Sequence, residues 1–230
     1  MTNKFILIVG ASRGIGKELA LQLAQNKQHK VIAVSRNKDA LCEFCEPNHI
    51  DFYHLDLENE HLKEELKKIL DHYPRIDVLI NNAGKLINKS FSSLTREDFL
   101  STYHVNALAV MQTVQQVVTK MEQRGGHIVN ISTMGAFQGS VKFAGLTAYS
   151  TSKAVVTNFT ELFAEEYKGT SISMNCLCLG AAQTEMLEEA FPGFQAPLSA
   201  QEMANYIADF ALQAHKYMNG KIIPVSLSTP

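Results

Sequence analysis

The chain has 230 residues, 46% of them hydrophobic and 19% charged, with 21 Lys and Arg against 23 Asp and Glu for a formal net charge of −2. That length suits one α/β domain with a full core and no second domain, and the near balance of charge leaves no basic field to hold nucleic acid or an anionic lipid surface. No apolar run approaches the roughly 20 residues a membrane span needs.

Phe5 to Val9 is five apolar residues with β-branched and aromatic members, which predicts a strand buried on both faces. Lys4 before this run does not make a secretory leader, because Gly10 and Arg13 break it. The turn Gly10-Ala11-Ser12-Arg13-Gly14-Ile15-Gly16 follows and opens into a predicted helix from Lys17 to Asn26. Strand, glycine turn and helix together make an anion site. Glycine lets backbone approach a pyrophosphate closely, and the free N–H groups of a helix N-terminus carry roughly half a positive charge. The spacing is Gly-x-x-x-Gly-x-Gly, which departs from the commonest dinucleotide fingerprint, Gly-x-Gly-x-x-Gly.

Lys30 to Arg36 reads as a second strand with a polar end. In a dinucleotide fold a carboxylate at this end would bond both ribose hydroxyls and select NAD. Here Ser35 and Arg36 stand there, with Arg13 across the turn, and offer donors and positive charge to a 2′-phosphate. The expected cofactor is therefore NADP(H). Cys42 and Cys45 form a C-x-x-C without a second pair at metal spacing, and Cys176 and Cys178 alternate in an apolar run as small core residues. This usage fits a reduced, cytoplasmic protein with no metal centre.

Ile50 to Leu55 predicts a third strand closed by Asp56 and Leu57, and Asn59 to His72 a charged amphipathic helix. Asp77 to Ile80 is a fourth strand running into Asn81-Asn82-Ala83-Gly84. A long helix is expected from Ser101 to Gln123, containing Asn106, and a fifth strand from Gly126 to Ser132. A helix opens at Thr147 and runs to about Tyr167, with Tyr149 and Lys153 four residues apart and so on one face. Ser171 to Leu179 is a sixth strand, ending at Gly180, and Thr184 begins a short helical piece. After a loop marked by Pro192, Gly193 and Pro197 come a helix from Ala200 to His215 and a last strand, Gly220 to Val225. Pro224 assigns that strand to a sheet edge. Strands alternating with helices in this way predict a single-domain, Rossmann-type, doubly wound parallel sheet with helices on both faces.

Taken in order, Gly10 to Gly16, Asp56, Asn81-Asn82-Ala83-Gly84, Asn106, Tyr149-x-x-x-Lys153, and Asn175 with Gly180 and Thr184 resemble a classical short-chain dehydrogenase/reductase over essentially the whole chain. The resemblance implies that Asp56 with Leu57 holds the adenine and that Asn82, Ala83 and Gly84 line the cofactor groove. It also implies that Gly180, Ala182 and Thr184 grip the nicotinamide side. Tyr149 would be the general acid and Lys153 its partner and a ligand of the ribose, while Asn106 would hold a water that relays protons to the lysine. A free tyrosine has a pKa near 10 and must be lowered by about three units to work near neutrality, about 4 kcal/mol, which one ammonium near 4 Å supplies at an effective dielectric of about 20.

The chain departs from the family at two places. Where serine is usual, Thr133 takes the aligned position after Ile131 and Ser132, and a one-residue shift of the strand's end would present Ser132 instead. The interval to Tyr149 is also longer by three residues, so that Met134 to Leu146 must bulge. Leu179 stands where proline generally precedes Gly180. The reading that follows is a carbonyl reductase or alcohol dehydrogenase acting on a small ketone or aldehyde, with Phe137, Phe143, Met186, Phe191 and Phe194 as apolar walls, assembled as a homodimer or homotetramer. The alternatives are a cofactor-binding sensor or scaffold and a same-fold epimerase or dehydratase.

Overall fold

The computed structural model describes residues 3–45 and 48–227. The chain runs β1 (Phe5–Val9), α1 (Gly14–Ala24), β2 (Lys30–Ser35), α2 (Lys38–Cys45), β3 (Asp51–His54), α3 (Leu62–Leu70), β4 (Val78–Asn81), α4 (Arg96–Tyr103), α5 (Ala109–Val118) and β5 (Gly126–Thr133). It continues through α6 (Thr147–Glu166), β6 (Ile172–Leu179), β7 (Ala182–Gln183), α7 (Glu185–Ala190), β8 (Leu198–Ser199), α8 (Ala200–Gln213) and β9 (Ile222–Val225).

Seven strands form one sheet in the order β3-β2-β1-β4-β5-β6-β9. Every pair in it is parallel. β9 does lie at an edge, where Pro224, opposite Cys178, needs no outward ladder partner. Alternation along β1 divides the core: Ile6 and Ile8 pack with α1 and α8, while Leu7 and Val9 pack with α3 and α5. These four side chains are all but inaccessible to water, and each contributes about 1.5–3 kcal/mol by burial.

Two expectations are corrected and one unassigned segment is filled. The helix expected from Ser101 to Gln123 begins at Arg96, capped by a reciprocal Thr95 and Asp98 box, and is broken by a π-turn over His104–Leu108. Its last turn ends at Val118 because the chain must swing back to Gly126. The helix expected from Lys17 begins at Gly14, inside the glycine turn. The segment after Arg36, unassigned from sequence, forms α2 over the C-x-x-C, with Cys45 buried. Cys176 and Cys178 are inaccessible and share a small cluster with Met134, as their alternation predicts.

Candidate active site

The strand order reverses direction between β1 and β4, where the helices that follow them leave on opposite faces of the sheet. A cavity of about 700 Å³ opens there, at the carboxyl ends of the strands. Gly10 sits at φ +86°, and a Cβ on it would fall 2.6 Å from the Cα of Ala83. Gly16 packs its bare Cα against the Gly10 carbonyl, and a Cβ there would lie 2.6 Å from Nδ2 of Asn82. Asn82 donates through that Nδ2 to the Gly10 carbonyl at 2.8 Å, and the Asn82 and Ala83 amides donate to the Val9 carbonyl at 3.0 and 2.8 Å. The two turns are thus fastened to each other. Arg13 is the N-cap of α1 and makes no side-chain cap bond, so the first-turn N–H groups remain available to an anion.

Gly10, Ser12, Arg13, Gly14, Ile15, Ser35, Arg36, Asp56, Leu57, Asn82, Ala83 and Gly84 line the inner half of this cavity, and Thr133, Tyr149, Lys153, Gly180, Ala182 and Thr184 continue it. Of the residues expected at the site, Gly16 and Asn106 do not face it. Gly16 acts through the close packing just described. Asn106 is fully buried in the π-turn. Its Oδ1 accepts from the Lys85 amide at 2.8 Å, and its Nδ2 donates to the Lys85 carbonyl and to Ser152 Oγ, each at 2.9 Å. Ser152 in turn donates to the Tyr149 carbonyl at 2.8 Å. Asn106 therefore ties the backbone after Gly84 to the turn of α6 that carries Tyr149 and Lys153. Both hydrogens of its Nδ2 are engaged, while Oδ1 accepts one bond and keeps a second lone pair for the relay water that the resemblance implies.

Lys153 is 3% exposed. Its Nζ donates to the carbonyls of Ile131 at 2.8 Å and Ala83 at 3.1 Å. Burial lowers its pKa to about 8. Burial likewise raises Tyr149, to about 12. The Lys153 ammonium is turned to two backbone carbonyls, and desolvation moves the two groups in opposite directions. Ser132 is buried and donates to the Lys153 carbonyl at 3.0 Å, whereas Thr133 is half-buried and its Oγ1 accepts from the Gly135 amide at 3.3 Å. Thr184 caps α7, its hydroxyl accepting from the Leu187 amide at 3.2 Å.

The basic residues near the ribose end carry partners that sequence reading missed. Arg13 pairs with Glu189 through Nη1 at 2.5 Å and Nη2 at 3.3 Å. This bond holds the Glu189 carboxyl below its ordinary range. Glu58 receives Arg36 at 3.4 Å and Lys85 at 2.9 Å. Ser35 donates to Ser12 Oγ at 2.8 Å. Glu58 lies only two residues past Asp56 and could have been suspected, but Glu189 is 176 residues from Arg13 and left no local signal. Among the expected apolar walls, Phe143, Met186, Phe191 and Phe194 line the cavity. Phe137 instead packs on Met134 beside the two buried cysteines.

A parallel sheet in this order, with a glycine cradle at the switch point and a Tyr149, Lys153 pair on the adjoining helix, defines a nucleotide-binding α/β protein. Residues 4–193 match the family model described as short chain dehydrogenase, and the chain belongs to that family. It is 32% identical to the 3-oxoacyl-[acyl-carrier-protein] reductase FabG of Thermotoga maritima over 98% of this chain and 97% of the relative. A short chain dehydrogenase from Salmonella enterica serovar Typhi superposes with a TM-score of 0.86 at 27% identity, covering 97% of this chain and 96% of that one. The NADP active-site complex of RhlG from Pseudomonas aeruginosa superposes with a TM-score of 0.87 at 22% identity, covering 98% and 96%, a likeness of fold. The chain is thus an oxidoreductase of the short-chain type. Among the described residues no group of His, Cys, Asp and Glu could hold a metal ion, and no helix is long and apolar enough to cross a membrane.

Proposed function

We propose that this protein is an NADP(H)-dependent carbonyl reductase or alcohol dehydrogenase that interconverts a ketone or aldehyde and its alcohol, with both halves of the site carried by one domain. The observation that carries the reading is the single cavity joining the glycine cradle to Tyr149, Lys153 and Thr133. The residues present fit a dinucleotide. Gly10 and Gly16 leave room that a Cβ would fill, α1 presents unbonded amides, and Ser12, Ser35, Arg13 and Arg36 form a donor set suited to a 2′-phosphate. The relative from Thermotoga maritima is a reductase of 3-oxoacyl groups, which supports a ketone as the reacting group.

When bound, the cofactor supplies or accepts the hydride. The chain's own part is to hold the substrate oxygen and to move a proton at it. Tyr149 donates that proton in reduction, and a phenol kept neutral by burial is in the correct form to do so at any pH near neutrality. Thr133 donates a second hydrogen bond to the same oxygen. Lys153, its pKa lowered to about 8 by burial, is fixed in position under the cavity by its two carbonyl bonds. Asn106 is a positioning residue. The exposed Leu100, Tyr103, Leu108 and Leu162 on the helices around it support assembly as a homodimer or homotetramer through that face.

NADPH depletion against a panel of carbonyl compounds tests the reading. Net oxidation is expected, and Tyr149→Phe should lose nearly all turnover while still binding NADPH. Tight NADPH binding with no oxidation by any carbonyl would instead indicate a sensor. Product formed without net cofactor change would indicate an epimerase.

A further inference from the structure

Beyond Tyr149 the cavity changes character. Its lining includes the apolar Met134, Leu146, Met186 and Phe191, together with Val141, Phe143 and Phe194. The last three are 52%, 54% and 49% exposed and form its rim. Large apolar side chains left open to water around a cavity mouth mark a surface that a ligand covers. These exposed residues line the same cavity as the other apolar side chains, so one extended molecule can cover both.

Charge tells the same story by its placement. The residues with charged side chains lining the cavity are Arg13, Arg36, Asp56, Lys153 and Glu185. The first three stand at the phosphate and ribose end, and Glu185 is beside Gly14, its Oε2 3.3 Å from the position of a Gly14 Cβ. Among the described residues, Lys153 is thus the one cation beside Tyr149, and its hydrogen bonds are already directed to backbone. Lys142, on the neighbouring loop, does not line the cavity, and its Nζ donates to the Phe137 carbonyl at 2.5 Å and to Ser140 Oγ at 3.0 Å. A carboxylate or phosphate next to the reacting carbonyl would be desolvated there without a partner. Besides Glu185, the short helix α7 carries Glu188, which accepts from the Gly193 amide at 3.0 Å, and Glu189, which pairs with Arg13; Glu185 also acts on Arg13 through its charge.

We propose that the preferred substrate is a neutral carbonyl compound with an extended apolar chain, taken up free in solution rather than on an acidic carrier protein. The chain leaves the site past the exposed Phe143 and Phe194. This rests on the carbonyl reductase reading and gives it a substrate class. It also separates the protein from a relative named for a carrier-bound substrate, because the acidic face of α7 repels an acidic partner that the apolar rim does nothing to attract.

The experiment uses the whole chain at saturating NADPH and three series: methyl ketones from butan-2-one to decan-2-one, 2-oxo acids of matching length, and one 3-oxoacyl chain offered as a free thioester and on an acidic carrier protein. kcat/KM should rise about two- to fourfold per methylene until the chain clears the rim. The 2-oxo acids should be at least tenfold poorer than neutral ketones of equal length. The carrier-bound chain should be poorer than the free thioester, with the gap narrowing as salt is raised. Phe194→Ala, at an exposed position that tolerates the change, should flatten the chain-length gradient. A flat or falling gradient, a preference for the oxo acids, or faster turnover of the carrier-bound chain overturns the proposal. Thermal shift of the NADP⁺-loaded protein with the same ketones distinguishes the two failures. Greater stabilisation by long ketones without turnover keeps the substrate class and removes the reductase reading, whereas equal stabilisation by short and long ketones removes the substrate class.

Discussion

Ser132 and Thr133 are adjacent hydroxyls at the end of β5, and exchanging each for its nearest apolar analogue should produce opposite phenotypes. Ser132 is 3% exposed and its Oγ donates to the Lys153 carbonyl at 3.0 Å. Ser132→Ala removes one buried neutral hydrogen bond, which costs about 1 kcal/mol of stability and lowers a urea midpoint by about 0.3 M for an m-value near 3 kcal/mol/M. Its effect on turnover should be small. Thr133 is half-buried at the cavity, and its only bond is the long one it accepts from the Gly135 amide at 3.3 Å. Thr133→Val keeps the shape and removes a donor from the substrate oxygen. This raises the barrier by about 1–3 kcal/mol, roughly 5- to 150-fold in kcat/KM, with little change in the urea midpoint. Steady-state kinetics and urea unfolding on the two variants give four numbers. Should Ser132→Ala show the catalytic loss and Thr133→Val the loss of stability, the roles assigned to the two faces of this strand end are wrong.

Two further outcomes follow from side chains around the site and under the sheet. Calorimetry should find NADPH tighter than NADH, with the order reversed in Arg36→Asp; Glu58→Gln, which releases Arg36 from an exposed pair of about 0.2–1 kcal/mol, should tighten NADPH about two- to fivefold and leave NADH unchanged. Equal affinity of the unmutated protein for both cofactors would remove this reasoning. His127 is buried between α8 and β6, one ring nitrogen at 2.9 Å from the Ala211 carbonyl and the other at 3.0 Å from the Asn175 amide, and burial lowers its pKa to about 4. Its folded pKa is thus below the unfolded value near 6.5, so the unfolded chain binds the extra proton, and stability present above pH 6.5 is lost as pH falls toward 4, by up to about 3 kcal/mol. Urea midpoints at pH 7.5 and pH 5 should differ by less in His127→Gln than in the parent, and an unchanged difference would show that another group carries the acid sensitivity.

The parallel sheet was legible because each strand is an apolar run with its own boundary signal, and the cradle because Gly10, Gly14 and Gly16 stand between a strand and a helix and the later motifs decide against a mere packing turn. Tyr149 and Lys153 were legible through the family resemblance, with which the shared helix face set by their four-residue spacing agrees. What sequence could not supply was pairing at a distance. The Arg13 bond to Glu189 joins the first turn of the chain to α7, and the Asn106 bonds join the π-turn to Lys85 and Ser152. A continuous apolar period across Ser101 to Gln123 also gave no sign of the π-turn, since one extra residue in a turn rotates the face without removing it. Phe137 was misassigned for a related reason: an aromatic in a loop is equally suited to a cavity wall and to a small satellite core.

The chemistry of the pair on α6 turns on which interaction dominates each group. An ammonium near 4 Å could have lowered the phenol by about three units, yet the ammonium of Lys153 is bonded to the carbonyls of Ile131 and Ala83, and burial leaves Tyr149 near 12 and Lys153 near 8. Burial acts in opposite senses on the two because their charged forms lie on opposite sides of neutrality: it favours the phenol with its proton and the amine without one. Reduction needs a neutral phenol, which this arrangement provides. Oxidation of an alcohol needs a phenolate, which it opposes. Reduction should therefore lose little rate from pH 6 to pH 7.5, while oxidation should climb steeply with pH over the same interval as the phenolate fraction grows. A rate of oxidation that is flat across that interval would mean that the phenol is ionised in the working complex, and that the lysine charge reaches it there despite its carbonyl partners.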